Sequence, residues 1–243
     1  MEDSMLKQEL SISGIPAILW GSHSDKLFIA VHGNMSSKSD EIIAQFAKEA
    51  TQKGYQVLSF DLPEHGDRKG EATFCKVQTC VKELTDIMDY AKTHWNHIGL
   101  FACSIGAYFS LQAYKDEPLK QCLFLSPVVD MERIIRNLMT WFGISEHKLE
   151  TELEIITPIG PTLYWDYYCY VKAHPIHAWN KPTSILYGSS DDICEFDTIS
   201  EFAKRFECDL TIMENGEHYF HTTEQLEFFI QWIKNHLFIK KTC

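Results

Sequence analysis

Residue types that together can make a hydroxyl nucleophilic stand far apart in this chain, each beside a turn. Ser104 lies in F-A-C-S-I-G-A-Y (Phe101–Tyr108), Asp191 and Asp192 close G-S-S-D-D (Gly188–Asp192), and His218 ends E-N-G-E-H (Glu214–His218). A serine hydroxyl is a poor nucleophile at neutral pH: it needs an imidazole to take its proton, and the imidazole needs a carboxylate to fix its tautomer and stabilise its charged form. The surroundings of Ser104 are tight, because the apolar run His97–Ala102 suits a buried strand, Ala107–Ala113 reads as a helix, and only Cys103, Ser104, Ile105 and Gly106 lie between. Two readings stand at this point: a serine that caps the helix amino terminus, and a nucleophile held up by a strained strand-to-helix corner. His221 is a second candidate base. Cys103 is a second candidate nucleophile, although the residue before the apex of such a turn points away from the cleft and reads as a buried thiol.

The elements that must position these residues alternate along the chain. Lys7–Ile12 and Ile15–Trp20, parted by Ser13-Gly14, read as a hairpin, and Leu27–Val31, Gln56–Phe60, His97–Ala102, Cys122–Leu125, Ser184–Tyr187 and Leu210–Met213 as buried strands. Helical spacing runs through Val77, Cys80, Val81, Leu84, Ile87, Met88, Ala91 and Trp95, then through Phe196–Phe206 and Leu226–Ile233. This alternation predicts an α/β fold, an open and mostly parallel sheet with helices on both faces. Reactive groups in such sheets collect at the carboxyl ends of the strands. Here those ends are His32-Gly33-Asn34, the Ser104 turn, Gly188–Asp192 and Glu214–His218, so a glycine-bearing loop, a serine, an acid and a histidine converge. One stretch breaks the rhythm: more than fifty residues separate the strand ending near Ser126 from the strand beginning near Thr183. It holds a helical pattern from Met131 to Phe142 with Gly143 as its stop, a turn at Pro158–Pro161, and the aromatic cluster Tyr164–Tyr170, which reads equally as lid core or pocket wall. An insertion of this length, about 127–181, is expected to be a functional lid.

With 243 residues, 45% hydrophobic and 23% charged, the chain is expected to form one domain. Thirty-four acidic against 22 basic residues give a net charge of −12, which repels phosphate backbones and anionic headgroups and argues against nucleic acid or a stable membrane surface as partner. No run of 18 apolar residues occurs, and Met1–Leu10 carries Glu2, Asp3 and Glu9 where a signal peptide would be basic and then apolar, so a cytoplasmic location is expected. Eight cysteines without a C-x-x-C pair read as reduced thiols, not as a disulfide framework or zinc ribbon. The pairs His94/His97, His174/His177 and His218/His221 have a two-ligand spacing but no evident third and fourth ligand, so no metal or other cofactor is expected.

Taken together, these motifs resemble the α/β-hydrolase fold family, in its serine hydrolase branch of carboxylesterases and monoacylglycerol-lipase-like or serine-aminopeptidase-like hydrolases. The family's elbow, G-x-S-x-G, reads here as Ala102-Cys103-Ser104-Ile105-Gly106, with alanine replacing the first glycine at a place that requires a small residue. H-G-N at His32, D-L-P-E-H-G from Asp61 to Gly66, the elbow, the aspartate turn and the last histidine follow in the family's order from Val31 to His218. The resemblance implies the α/β-hydrolase fold with a lid after the sixth core strand, catalytic Ser104, Asp191 and His218, and an oxyanion hole made by the backbone N–H groups of Asn34 and Ile105. Asp191 is preferred because the family's acid lies at the end of G-x-x-D, counted from Gly188; Asp192 is then expected to cap the segment leading into the Phe196–Phe206 helix. His32 is expected to brace its loop, and His65 and Asp67 to shape the D-L-P-E-H-G-D loop by hydrogen bonding.

The implied activity is hydrolysis of a small-molecule carboxylic ester through an acyl-enzyme on Ser104. Thioesters and amides use the same machinery, and lyases and haloperoxidases share the fold. The alternative of another class is a non-catalytic ligand-binding pseudoenzyme. Trp141, Tyr164, Trp165 and Tyr168, with Phe142 and Tyr167, are expected to line the substrate and to favour short-chain or aryl esters over long-chain emulsified lipids. A homodimer is left open.

Overall fold

The computed structural model describes residues 5–158 and 160–237; residues 1–4, Ile159 of the expected turn, and Cys243 lie outside the described residues. In chain order the first elements are β1 (Lys7–Ile12), β2 (Ile15–Trp20), β3 (Lys26–Val31), α1 (Glu41–Gln52), β4 (Gln56–Phe60), α2 (Val77–His94), β5 (His97–Cys103), α3 (Ser104–Ala113) and β6 (Cys122–Leu125). An insertion follows, made of α4 (Met131–Trp141), α5 (Glu146–Glu152), β7 (Glu154–Ile155), β8 (Leu163–Tyr164) and α6 (Trp165–Ala173). The chain then returns through β9 (Thr183–Gly188), α7 (Phe196–Arg205), β10 (Asp209–Met213) and α8 (Thr223–His236).

Eight strands make one sheet in the order β1-β2-β4-β3-β5-β6-β9-β10, while β7 and β8 form a separate antiparallel ribbon in the insertion. β2 is antiparallel to both β1 and β4; every pairing beyond it is parallel. The expected α/β fold with a mostly parallel sheet is therefore present.

Side chains alternate across a strand, and here both faces are dry, which is why the central strands are continuous apolar runs. Leu27, Ile29 and Val31 of β3 belong to the core shared with Leu84 of α2, Phe109 of α3 and Ile199 of α7. Phe28 and Ala30 belong to the opposite core, with Ile43 and Phe46 of α1 and Phe229 of α8. Phe46 stacks on Phe101 at 4.1 Å, and burying each such ring stabilises the fold by about 1.5–3 kcal/mol.

Two of these elements differ from expectation. Helix α3 starts at Ser104 itself, not at Ala107. His221 lies just before the last helix, whose N-cap is Thr222 in a capping box with Gln225. Helix α1 is absent from the expected elements although its sequence carries the signal: Asp40 caps Ile43 N–H, and Ile42, Ile43, Phe46, Ala47 and Ala50 are buried at helical spacing.

Candidate active site

Ser104 sits where β5 passes directly into α3 with no intervening loop. Cys103 is extended at φ −114°, and Ser104 takes φ 48°, a left-handed conformation that is strained for serine. The close approach of neighbouring backbone enforces the turn: a Cβ at Gly106 would come within 2.3 Å of the His32 carbonyl oxygen. The same contact lays the His32–Asn34 loop against the amino terminus of α3. Ala102 is fully buried in the core, so alanine at the family's first glycine position is accommodated. Cys103 packs on the α1/α8 side of the sheet, and burial pushes its thiol pKa up.

The acid and histidine loops reach Ser104 together. A Cβ at Gly188 would lie 2.3 Å from the Gly216 carbonyl oxygen, so the ends of β9 and β10 press backbone on backbone. Ser190 N–H donates to Gly216 at 2.8 Å, Ser189 N–H donates to Met213 at 2.9 Å, and Asn215 N–H donates to the Ser189 hydroxyl at 2.8 Å. These bonds hold Asp191 beside His218, and neither loop alone shows them in sequence.

Ser104 Oγ lies 2.8 Å from His218 Nε2, and His218 Nδ1 lies 2.7 Å from Asp191 Oδ2. A carboxylate only accepts, so Nδ1 carries the proton and Nε2 offers its lone pair to the serine hydroxyl. Asp191 Oδ1 accepts from Ile193 N–H at 2.9 Å and Cys194 N–H at 2.8 Å, which fixes the carboxylate plane. The Asp191 side chain is fully buried and that of His218 is 11% exposed. The arrangement can move a proton from serine to imidazole and stabilise the resulting charge.

Asp192 does not cap the next helix. It is exposed, the N-cap of α7 is Glu195 without a capping bond, and the turn is held instead by Asp191 Oδ1. His221 is not the partner of the serine; its Nδ1 lies on the Tyr219 carbonyl at 2.8 Å.

The loop contributing Asn34 is braced from beneath. His32 Nδ1 donates to Gly33 O at 2.7 Å and its Nε2 accepts from Leu62 N–H at 3.0 Å, a neutral tautomer; burial lowers its pKa to about 4. Both ring nitrogens of His65 face acceptors, the Pro63 carbonyl at 2.7 Å and Asn34 Oδ1 at 3.1 Å. Lys38 Nζ joins Asp61 at 2.6 Å and Asp67 at 2.5 Å. Sequence reasoning assigned loop-shaping to His32, His65 and Asp67, but it missed Lys38 and the direct tie from His65 to Asn34.

The residues expected to line the substrate are placed unevenly. Tyr168 is buried and its hydroxyl donates to Glu146 at 3.2 Å, in the core of the insertion. Trp165 packs on Tyr168 with ring centroids 5.9 Å apart. Tyr164 packs beside Phe74, and the Lys76 ammonium lies over both rings. Trp141 is 67% exposed at the end of α4. A cleft of about 260 Å³ opens between α3, α4, α6 and α7, lined by Tyr108, one helical turn along α3 from Ser104, by Val129, Val171 and Phe202, and by the charged Asp130, Glu132, Glu201 and Arg205; none of Trp141, Tyr164, Trp165 and Tyr168 lines it. Among the described residues, the side chains grouped closely enough to share a metal ion are Asp191, Cys194 and His218, and two of these already bind each other.

No protein-family model matches the sequence. The chain shares its fold with Est1E from Butyrivibrio proteoclasticus, solved with ferulic acid bound: TM-score 0.76 at 20% identity, over 94% of this chain and 96% of that one. The mouse alpha/beta hydrolase domain-containing protein 10 aligns with TM-score 0.73 at 17% identity over 95% and 97% of the two chains. The Pyrococcus furiosus esterase Pf2001 aligns with TM-score 0.69 at 18% identity over 96% and 90%. The fold is thus the α/β-hydrolase fold, as the resemblance implied. In sequence, the chain is 26% identical over 154 residues to 20-hydroxy-prefusarin hydrolase FUS2 of Gibberella moniliformis, a match that spans 56% of this chain and 36% of that protein. No described helix is long and apolar enough to cross a membrane.

Proposed function

We propose that this chain is a serine hydrolase that cleaves carboxylic esters through an acyl-enzyme on Ser104. The observation that carries the reading is the unbroken relay from Ser104 Oγ through His218 to Asp191, at 2.8 and 2.7 Å. His218 Nε2 takes the serine proton as Oγ attacks the ester carbonyl, and Asp191 stabilises the imidazolium. The backbone N–H groups of Ile105, at the open amino terminus of α3, and of Asn34 receive the oxyanion, a contribution of a few kcal/mol to the transition state. His218 then protonates the leaving alcohol, and a water activated by the same nitrogen releases the acid.

The insertion between β6 and β9 serves as the lid, within a single domain. Tyr108, Val129, Val171 and Phe202 in the cleft beside the insertion favour a short acyl or aryl group, and the ferulic acid held by Est1E, an aryl carboxylic acid on the same fold, agrees with that preference. The hydrolase named among the sequence relatives supports the reaction class.

A fluorophosphonate probe should label Ser104 alone, and Ser104→Ala should lose both labelling and ester turnover with its melting temperature retained. Activated esters should give a burst of one leaving group per chain, and kcat/KM should fall as the acyl chain lengthens. Labelling that persists in Ser104→Ala would overturn the assignment of the nucleophile, and efficiency rising steadily past about twelve carbons would overturn the substrate class.

A further inference from the structure

Away from the serine, histidine and aspartate, two thiols lie side by side: Cys75 Sγ and Cys80 Sγ are 3.7 Å apart. Cys75 immediately precedes Lys76, the N-cap of α2, and Cys80 lies in the first turn of that helix. A disulfide requires about 2.05 Å between sulfurs, so the pair must close by less than about 2 Å. Cys75 stands in non-helical chain and is half-buried, while Cys80 is buried.

The surroundings make the two sulfurs chemically unequal. The Cys75 thiol is lowered to about 6, because the Cys80 thiol donates to its sulfur and His65 stands beside it, together outweighing burial. Burial, reinforced by the neighbouring Cys75, pushes the Cys80 thiol up. His65 is raised in return: burial works against its charge, and the Cys75 sulfur and Pro63 carbonyl outweigh it. Tyr167, whose hydroxyl is buried with no hydrogen-bond partner among the described residues, lies within electrostatic reach of both thiols.

We infer that Cys75 and Cys80 form a reversible oxidation site, a nucleophilic and a resolving thiol that hydrogen peroxide or another small hydroperoxide converts into an intramolecular disulfide. The Cys75 thiolate attacks one peroxide oxygen; the S–O bond forms, the O–O bond breaks, and hydroxide leaves to be protonated to water. The Cys80 sulfur then attacks the sulfenic sulfur; the S–S bond forms, the S–O bond breaks, and the departing hydroxide takes the Cys80 proton as a second water. Two thiols lose two electrons and one peroxide gains them. The product replaces a negative sulfur beside His65 with a neutral one, and His65 is the residue that holds Asn34 Oδ1 at 3.1 Å. Oxidation therefore reaches the Asn34 loop through one hydrogen bond.

The chemistry needs no activity at Ser104, so its test is separate from that of the esterase reading. The full chain is exposed at neutral pH to peroxide sufficient to oxidise the exposed Cys169, its free thiols are blocked in denaturant, and it is digested with trypsin. Peptides 70–76 and 77–82 should emerge joined, and separate on treatment with dithiothreitol. In Cys80→Ser the Cys75 sulfenic acid should instead persist and be trapped by dimedone, and Cys75→Ser should give neither product. Recovery of both wild-type peptides as blocked thiols while Cys169 is oxidised would overturn the proposal, as would coupling of Cys75 or Cys80 to any other cysteine.

Discussion

The proton on His218 Nδ1 is the point at which the array is most sensitive. It stays there because Asp191 Oδ2, 2.7 Å away, can only accept. An asparagine at 191 would retain a carbonyl oxygen for Ile193 and Cys194 N–H, so the turn should survive, but its amide can offer N–H to the ring and drive the proton to Nε2. The nitrogen facing Ser104 would then be a donor and unable to act as base. Asp191→Asn should lose turnover by roughly 10³–10⁴-fold while melting close to wild type. Asp192 is exposed and caps nothing, so Asp192→Asn should match wild type in both kcat and melting temperature. Paired kinetics and thermal melts check this, and a large kcat loss in Asp192→Asn alone would transfer the role. That Asp191 and not its neighbour meets His218 was legible through the G-x-x-D spacing from Gly188. The second part of that reading was not: the turn-holding bonds expected of Asp192 are made by the other oxygen of Asp191, because one carboxylate can serve an imidazole and two backbone N–H groups at once.

Between the strand ends, the contact of Gly188 with Gly216 does for the acid and the base what the elbow does for the serine. Any side chain at Gly188 would strike Gly216 and Glu217 backbone atoms at 2.3–2.7 Å, and backbone cannot rotate aside. Gly188→Ala should therefore separate the two loops, with a stability cost of about 1–3 kcal/mol and roughly 10²-fold slower fluorophosphonate labelling of Ser104. Denaturant midpoints and labelling rates measure the two effects, and unchanged labelling would mean that the loop contact does not set the geometry. The strands themselves were readable because both faces of the sheet are buried, which leaves continuous apolar runs such as Leu27–Val31 and Cys122–Leu125. Helices with one wet face were readable by period, and α1 met the same criterion through Ile42, Ile43, Phe46 and Ala50. The interior of the insertion was less legible for a physical reason. β7 and β8 have two residues each, too short to show any period, and α6 carries aromatic residues on several faces, some in its core and some half-exposed. The partners of Tyr164 and Tyr168, Lys76 and Glu146, come from segments that spacing cannot connect to them.

Across the molecule, two buried groups make opposite demands on pH. His32, at the end of β3, is lowered from 6.5 to about 4 by burial, and Asp40, at the head of α1, is raised from 3.8 to about 6 by burial that outweighs the Ile43 N–H bond. As pH falls from 6.5 to 4, the unfolded chain protonates His32 while the folded chain does not, so stability is lost, by roughly 3 kcal/mol in all. As pH falls from 6 to 3.8, the folded chain protonates Asp40 before the unfolded chain does, so stability is gained, again by roughly 3 kcal/mol. In the wild type the two contributions nearly offset one another across the acid range. Asp40→Asn removes one of them and leaves the cap intact, since asparagine caps helices about as well as aspartate. The variant should be the more stable protein at pH 7, where the wild type keeps a partly buried carboxylate ionised. It should then lose roughly 3 kcal/mol more than wild type between pH 6.5 and 4, because the cost of His32 is no longer countered. Every other titrating group is common to both proteins and cancels in the difference between their urea midpoints. A difference that stays constant over this range would show that Asp40 titrates as an ordinary exposed carboxylate and that the acid response of the fold has another origin.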